Sequence, residues 1–89
     1  MANKRTLKHT INMVCDELFT EAVAASLYGN GNNEGNIEAI LYSIIRTRAE
    51  YTARVQHPEP GMPKHLYYKD LREKFSACVS DIVDHINNL

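Results

Sequence analysis

The sequence has no tryptophan, two phenylalanines, two cysteines, four glycines, and three prolines that all fall within Pro58-Glu-Pro-Gly-Met-Pro63. The five tyrosines and two phenylalanines form no evident aromatic-basic platform on which single-stranded nucleic acid could stack; Tyr67 and Tyr68 beside Lys69 are the one foothold for it. Cys15 and Cys78 have neither a C-x-x-C spacing nor a histidine beside them, so they form no zinc ligand set and no redox couple and read as small core residues. A disulfide between them would need Cα atoms within about 7 Å, and sequence leaves that contact open. Long apolar runs are also missing. The longest, residues 39–45, is broken by Ser43 and is far too short to span a bilayer. No apolar segment follows the opening Met-Ala-Asn-Lys-Arg, which together with two thiols makes the cytoplasm the expected location.

An excess of either charge is lacking as well. Ten Lys and Arg against eleven Asp and Glu give a net charge of −1, which argues against a uniformly basic nucleic-acid binder. No Ser, Thr or Cys has a recognisable base beside it, and no carboxylate pair sits where a raised pKa is expected. The expectation is a protein that is not an enzyme and carries no cofactor. A chain of 89 residues holds one core and no second domain, so residues 1–89 are read as a single helical domain.

What is present is helical periodicity. Leu7, Ile11, Val14, Leu18, Ala22 and Ala25 recur at steps of three and four, predicting a helix over about 4–28 with Asn3 or Thr6 as its cap. Phe19, Val23 and Leu27 widen that stripe along a second edge, which points to a further contact with a neighbouring element or a second chain. The Gly29–Gly35 stretch is read as a turn, and Asn36 as the cap of a second helix over about 37–55. Its inward face is expected to hold Ile37, Ile40, Leu41, Ile44, Ile45, Tyr51 and Val55. The proline segment ends that helix. A third, over about 66–88, carries the stripe of Leu71, Phe75, Cys78, Val79, Ile82, Val83, Ile86 and Leu89. Three such helices with short connections predict an all-α, up-down-up three-helix bundle, one that a second copy could complete.

Several residues are candidates for chemistry. Asn30, Asn32, Glu34 and Gly35 match the early positions of an EF-hand loop, but Asn30 and Leu41 stand where calcium needs a carboxylate and a bidentate glutamate, so the stretch reads as a helix-helix turn. Of the four histidines, His57 and His65 flank the proline segment and are expected to be neighbours; two imidazoles do not make a metal site, and none is expected. Arg48 falls within the apolar stripe of the second helix, one turn after Ile44 and one before Tyr51. A cation there must be paired, stacked or at an interface. Pairing the first two helices antiparallel brings it level with Asp16, so a bridge between them, or a guanidinium that reaches past Tyr51 to water, is the favoured reading; an anchor for an anionic partner is the other.

The up-down-up path sorts the charge. All ten Lys and Arg fall in the half holding the start of helix one, the end of helix two and the start of helix three, with four acids, for a sum of +6. The other half carries seven acids and sums to −7. Helix one begins basic and helix three ends acidic, against the helix-dipole preference, so local stability does not account for the layout, and association becomes the natural hypothesis. A solvated surface is the plainer explanation, since exposed pairs contribute only ~0–1 kcal/mol.

The segments Lys-Arg-Thr-Leu-Lys-His-Thr-Ile-Asn from residue 4, Cys-Asp-Glu-Leu-Phe from residue 15 and His-Pro-Glu-Pro-Gly from residue 57 resemble those of a small bacterial all-helical family of uncharacterised proteins. The resemblance implies a helical fold, no activity and no site residues. From the residues themselves, the leading expectation is a non-enzymatic helical protein-protein interaction or regulatory module, a homo-oligomer or a partner for another protein, contacting through Phe19, Val23 and Leu27, with Arg48 as a further candidate. The alternative is a small nucleic-acid-binding module that uses a basic pole of Lys4, Arg5, Lys8, Arg54, Lys64 and Lys69. No membrane association is expected.

Overall fold

A computed structural model describes residues 4–28 and 34–89, and within them three α-helices form an up-down-up bundle: α1 (Lys4–Tyr28), α2 (Glu34–Gln56) and α3 (Lys64–Asn87). One core runs the length of the molecule. α1 buries Leu7, Ile11, Cys15, Leu18 and Ala22; α2 adds Ile40, Ile44, Tyr51 and Val55, and α3 adds Tyr68, Leu71, Phe75, Ile82 and Ile86. The steps of three and four that mark these residues in the sequence place them on one face of each helix, and burying that face is what holds short helices in water.

The second helix begins earlier than its sequence suggests. Glu34, Gly35 and Asn36 are already helical, so Asn36 is an interior residue and not the cap. The stretch from Glu34 to Leu41 is therefore helix, and a twelve-residue calcium loop from Asn30 to Leu41 cannot form; Asn30 and Asn32 themselves, like the expected cap Asn3, lie outside the described residues. Nothing crowds the site of a Cβ at Gly35, so no tertiary contact requires glycine there. α3 starts at Lys64, directly after Pro63, whose carbonyl accepts from the backbone N–H groups of Leu66 and Tyr67.

The bundle is a rod. It measures 48 × 19 × 16 Å with a radius of gyration of 14.7 Å, against about 12 Å for a compact chain of this length. α2 is central: α1 and α3 pack less closely on each other than either does on α2. Two tyrosines of α3 fasten it to the end of α2. The Tyr67 hydroxyl donates to the Arg54 carbonyl at 2.8 Å and the Tyr68 hydroxyl to the Val55 carbonyl at 3.1 Å. Carbonyls in the last turn of a helix lack intrahelical donors, and these hydroxyls supply them. Tyr68 is buried in the process, so it offers no stacking face to nucleic acid. No described helix is long and apolar enough to cross a membrane.

Candidate functional site

Arg48 sets the register of the first two helices. Its guanidinium pairs with the Asp16 carboxylate and donates to the Asn12 backbone carbonyl at 3.2 Å, so the bridge expected from an antiparallel pairing is present. The side chain is 39% exposed and lies at the border of the core, not within it. With 48 beside 16, residue 45 lies level with 19, 41 with 23, 38 with 26 and 56 with 8. The last of these is independently visible, because Gln56 and Lys8 line one hollow.

This register makes the outer side of the α1/α2 pair the candidate site. Phe19 is 39% exposed and Leu27 is 74% exposed, while Val23 is half-buried. Ile45, expected on the inward face of α2, is instead 58% exposed, and Tyr42, one turn away, is 66% exposed. The stripe of α2 is wide enough in sequence to include Ile44 and Ile45 alike; only Ile44 turns to the core, because α1 and α3 together cover an arc centred on Ile40, Ile44, Tyr51 and Val55. Phe19 and Ile45 are therefore level with each other near the middle of the rod. Sequence periodicity finds Phe19, Val23 and Leu27 but misses Ile45 and Tyr42, whose exposure depends on where the neighbouring helices sit.

The basic pole divides into occupied and unoccupied cations. Arg54 pairs with Glu50 at 2.8 Å and lies over the Tyr51 ring at 5.0 Å, and Lys74 pairs with Asp70 at 3.0 Å. These two line a hollow of about 670 Å³ beside the proline segment, with His57, Glu59 and Tyr67. His65, expected to adjoin His57, lies in the first turn of α3 and is not among the residues lining that hollow. Lys4, Arg5, Lys8 and His9 instead gather with Asn12 and Gln56 around a hollow of about 520 Å³, and no ion pair to them is formed among the described residues. Lys64 and Lys69 are exposed on α3. The first turns of α1 and α3 contain no acid, so two helix N-termini and these cations reinforce one another at this end.

A second opening separates α1 from α3. It is a groove of about 270 Å³ whose apolar wall includes Leu7, Ile11, Val14, Phe75 and Val79, with Arg72 at its edge. No ion pair crosses it among the described residues.

The thiols are separate. Cys15 is fully buried, and that burial pushes its pKa above the usual value, with the nearby Arg48 guanidinium opposing the shift. Cys78 is half-buried and faces the Tyr51 hydroxyl at 3.5 Å; both are free thiols. Burial, and next the contact with Cys78, pushes the Tyr51 phenol up to about 12. Both shifts favour the neutral group. The Cys15 thiol and the Tyr51 phenol therefore serve packing, since a reactive cysteine needs a lowered pKa and access. No group of three or more His, Cys, Asp and Glu among the described residues is placed to hold a metal ion.

Compared with family models, curated proteins and solved structures, the chain matches none at a significant level. Its own geometry therefore carries the functional argument.

Proposed function

We propose that this chain is a non-enzymatic helical interaction module that works as a homodimer, making contact through the outer side of the α1/α2 pair. The observation that carries the reading is the set of large apolar side chains left in water on that side: Phe19, Leu27, Tyr42 and Ile45. Scattered exposed apolar residues are ordinary, but a contiguous apolar surface on a small protein marks a contact site. Here the register of the Arg48–Asp16 bridge brings the exposed Phe19 level with the exposed Ile45 on a rod only 19 Å across, with Tyr42 one turn from Ile45. Two free thiols fit a reducing compartment, and the cytoplasm is the proposed location. Size-exclusion chromatography with light scattering, from micromolar to millimolar chain, tests the reading. A dimer that Ile45→Glu converts to monomer is the expected result, and a strict monomer at millimolar concentration refutes it.

One observation supports a second reading, nucleic-acid binding at the basic pole: Lys4, Arg5, Lys8 and His9 converge on one hollow without ion pairs among the described residues. Binding of this kind loses affinity steeply as salt rises, because each neutralised phosphate releases counterions. Titration with generic RNA and DNA at low salt, with no binding observed, removes it.

A further inference from the structure

We propose that the two copies of the dimer lie antiparallel, side by side, with a two-fold axis at the level of Thr47, one residue from the Arg48–Asp16 bridge, so that the basic half of each copy covers the acidic half of the other. The inference rests on the homodimer reading above and adds its orientation and its charged contacts.

Three observations converge on this arrangement. The first is position along the rod. Phe19 and Ile45 lie level with each other, two residues or ~3 Å from the Thr47 level near the middle of α1 and α2, so an interface centred there overlaps nearly the full length of both copies. A patch at one tip would have allowed only a short overlap. The ~800 Å² per partner typical of a specific complex is about one eighth of the chain's 6242 Å² of accessible surface, which one side of a rod 48 Å long can supply.

The second is shape. An antiparallel pairing about that axis sets the Phe19 and Ile45 level of one copy against the level of Ala49 in the other, and the Val23 level against Ala53. Both alanines are exposed on α2. Large side chains thus meet short ones across the axis, which lets two helical surfaces interdigitate.

The third is charge. The half of the chain that holds Lys4, Arg5 and Lys8 sums to +6 and the other to −7. A parallel pairing lays like charge on like charge along both halves, whereas the antiparallel one opposes unlike charge at both ends. The exposed Glu38 of each copy then comes level with Lys8 of the other. Within one chain those two residues are 18 levels apart, about 27 Å at 1.5 Å per residue, so no contact inside the monomer can couple them.

Charge exchange at this pair tests the orientation. Sedimentation equilibrium would compare the native chain with Glu38→Lys, Lys8→Glu and the double variant, with circular dichroism confirming that each is helical. In the antiparallel dimer each single exchange sets like charges together twice and weakens association about tenfold, and the double exchange restores it to within about twofold. Singles that leave the dimer unchanged overturn the antiparallel orientation while the homodimer stands, because in a parallel pair 38 faces 38 and reversal keeps like against like. A double variant no better than the singles overturns it also. A native chain that stays monomeric removes the dimer itself, and the orientation with it.

Discussion

α1 meets its two neighbours in different ways. Against α2 it runs antiparallel, and the contact is latched by Arg48 to Asp16 and to the Asn12 carbonyl. Against α3 it runs parallel, with no ion pair crossing among the described residues and a groove of about 270 Å³ left between Val14 and Val79. Charge explains the contrast. Antiparallel helices oppose their dipoles favourably, while α1 and α3 bring two positive N-termini together with Lys4, Arg5, Lys8, Lys64, Lys69 and Arg72 at the same end. The lesson is that burial draws all three helices together, but like charge at one pole keeps one seam wider, and α3 is held mainly through α2. Its fastenings are the Tyr67 and Tyr68 hydroxyls and the edge-on packing of Tyr51 against Phe75, with centroids 5.4 Å apart.

The largest effect should come from removing the side chain that both seams of α3 share. Phe75→Ala takes away a buried ring that packs on Tyr51 and walls the groove, and a loss of about 3–4 kcal/mol in urea unfolding is expected. A loss below 1 kcal/mol would mean that α3 is held elsewhere.

Alkaline pH attacks the same contact from the α2 side. Tyr51 has a folded pKa of about 12, above its ordinary value of 10, so its contribution is whole below pH 10 and is lost as pH rises through about 12. Cys15 is shifted the same way and begins to contribute to the loss above its ordinary value of 9. The melting temperature should therefore be flat near neutral pH and fall beyond pH 9 to 10. Tyr51→Phe should flatten the upper part of that fall, and an unchanged profile would exclude Tyr51 as its source.

Smaller changes sharpen the contrast. Val79→Leu adds a methylene where the groove has space and should raise stability by about 0.5–1 kcal/mol; a loss would show that the parallel seam is already full. Arg48→Ala removes a bridge whose partners are 39% and 70% exposed, so water already screens it, and a cost of about 0.5–1 kcal/mol is expected by thermal unfolding. Raising salt from 20 to 300 mM acts on both seams at once, weakening the latch and relieving the crowded basic pole. In the Arg48→Ala variant only the relief remains. Its stability should therefore gain a few tenths of a kcal/mol from salt, more than the native chain does.

Much of this architecture is readable from residues in order. The spacing of Leu7, Ile11 and Leu18 predicts α1, and the clustering of prolines at 58–63 separates α2 from α3. Even the Arg48–Asp16 bridge follows from a cation in an apolar stripe and an antiparallel return. Other features depart from their local pattern for identifiable reasons. Asn36 and Gly35 look like turn residues by their intrinsic preference, yet α2 extends through them. Ile45 belongs to the apolar stripe by spacing but to the surface by position, and Tyr67 and Tyr68 look like a foothold for nucleic acid until their hydroxyls are found on the carbonyls ending α2.

By itself the sequence determined three helices, their order and the segregation of positive from negative residues along the chain, because a period near 3.6 and the positions of Gly and Pro act locally. Tertiary structure decided which apolar residues stay in water, which cations find a partner and how far α1 stands from α3. Those outcomes depend on what lies across from each helix face, and that is a property of neighbours brought together by folding, which no single segment carries.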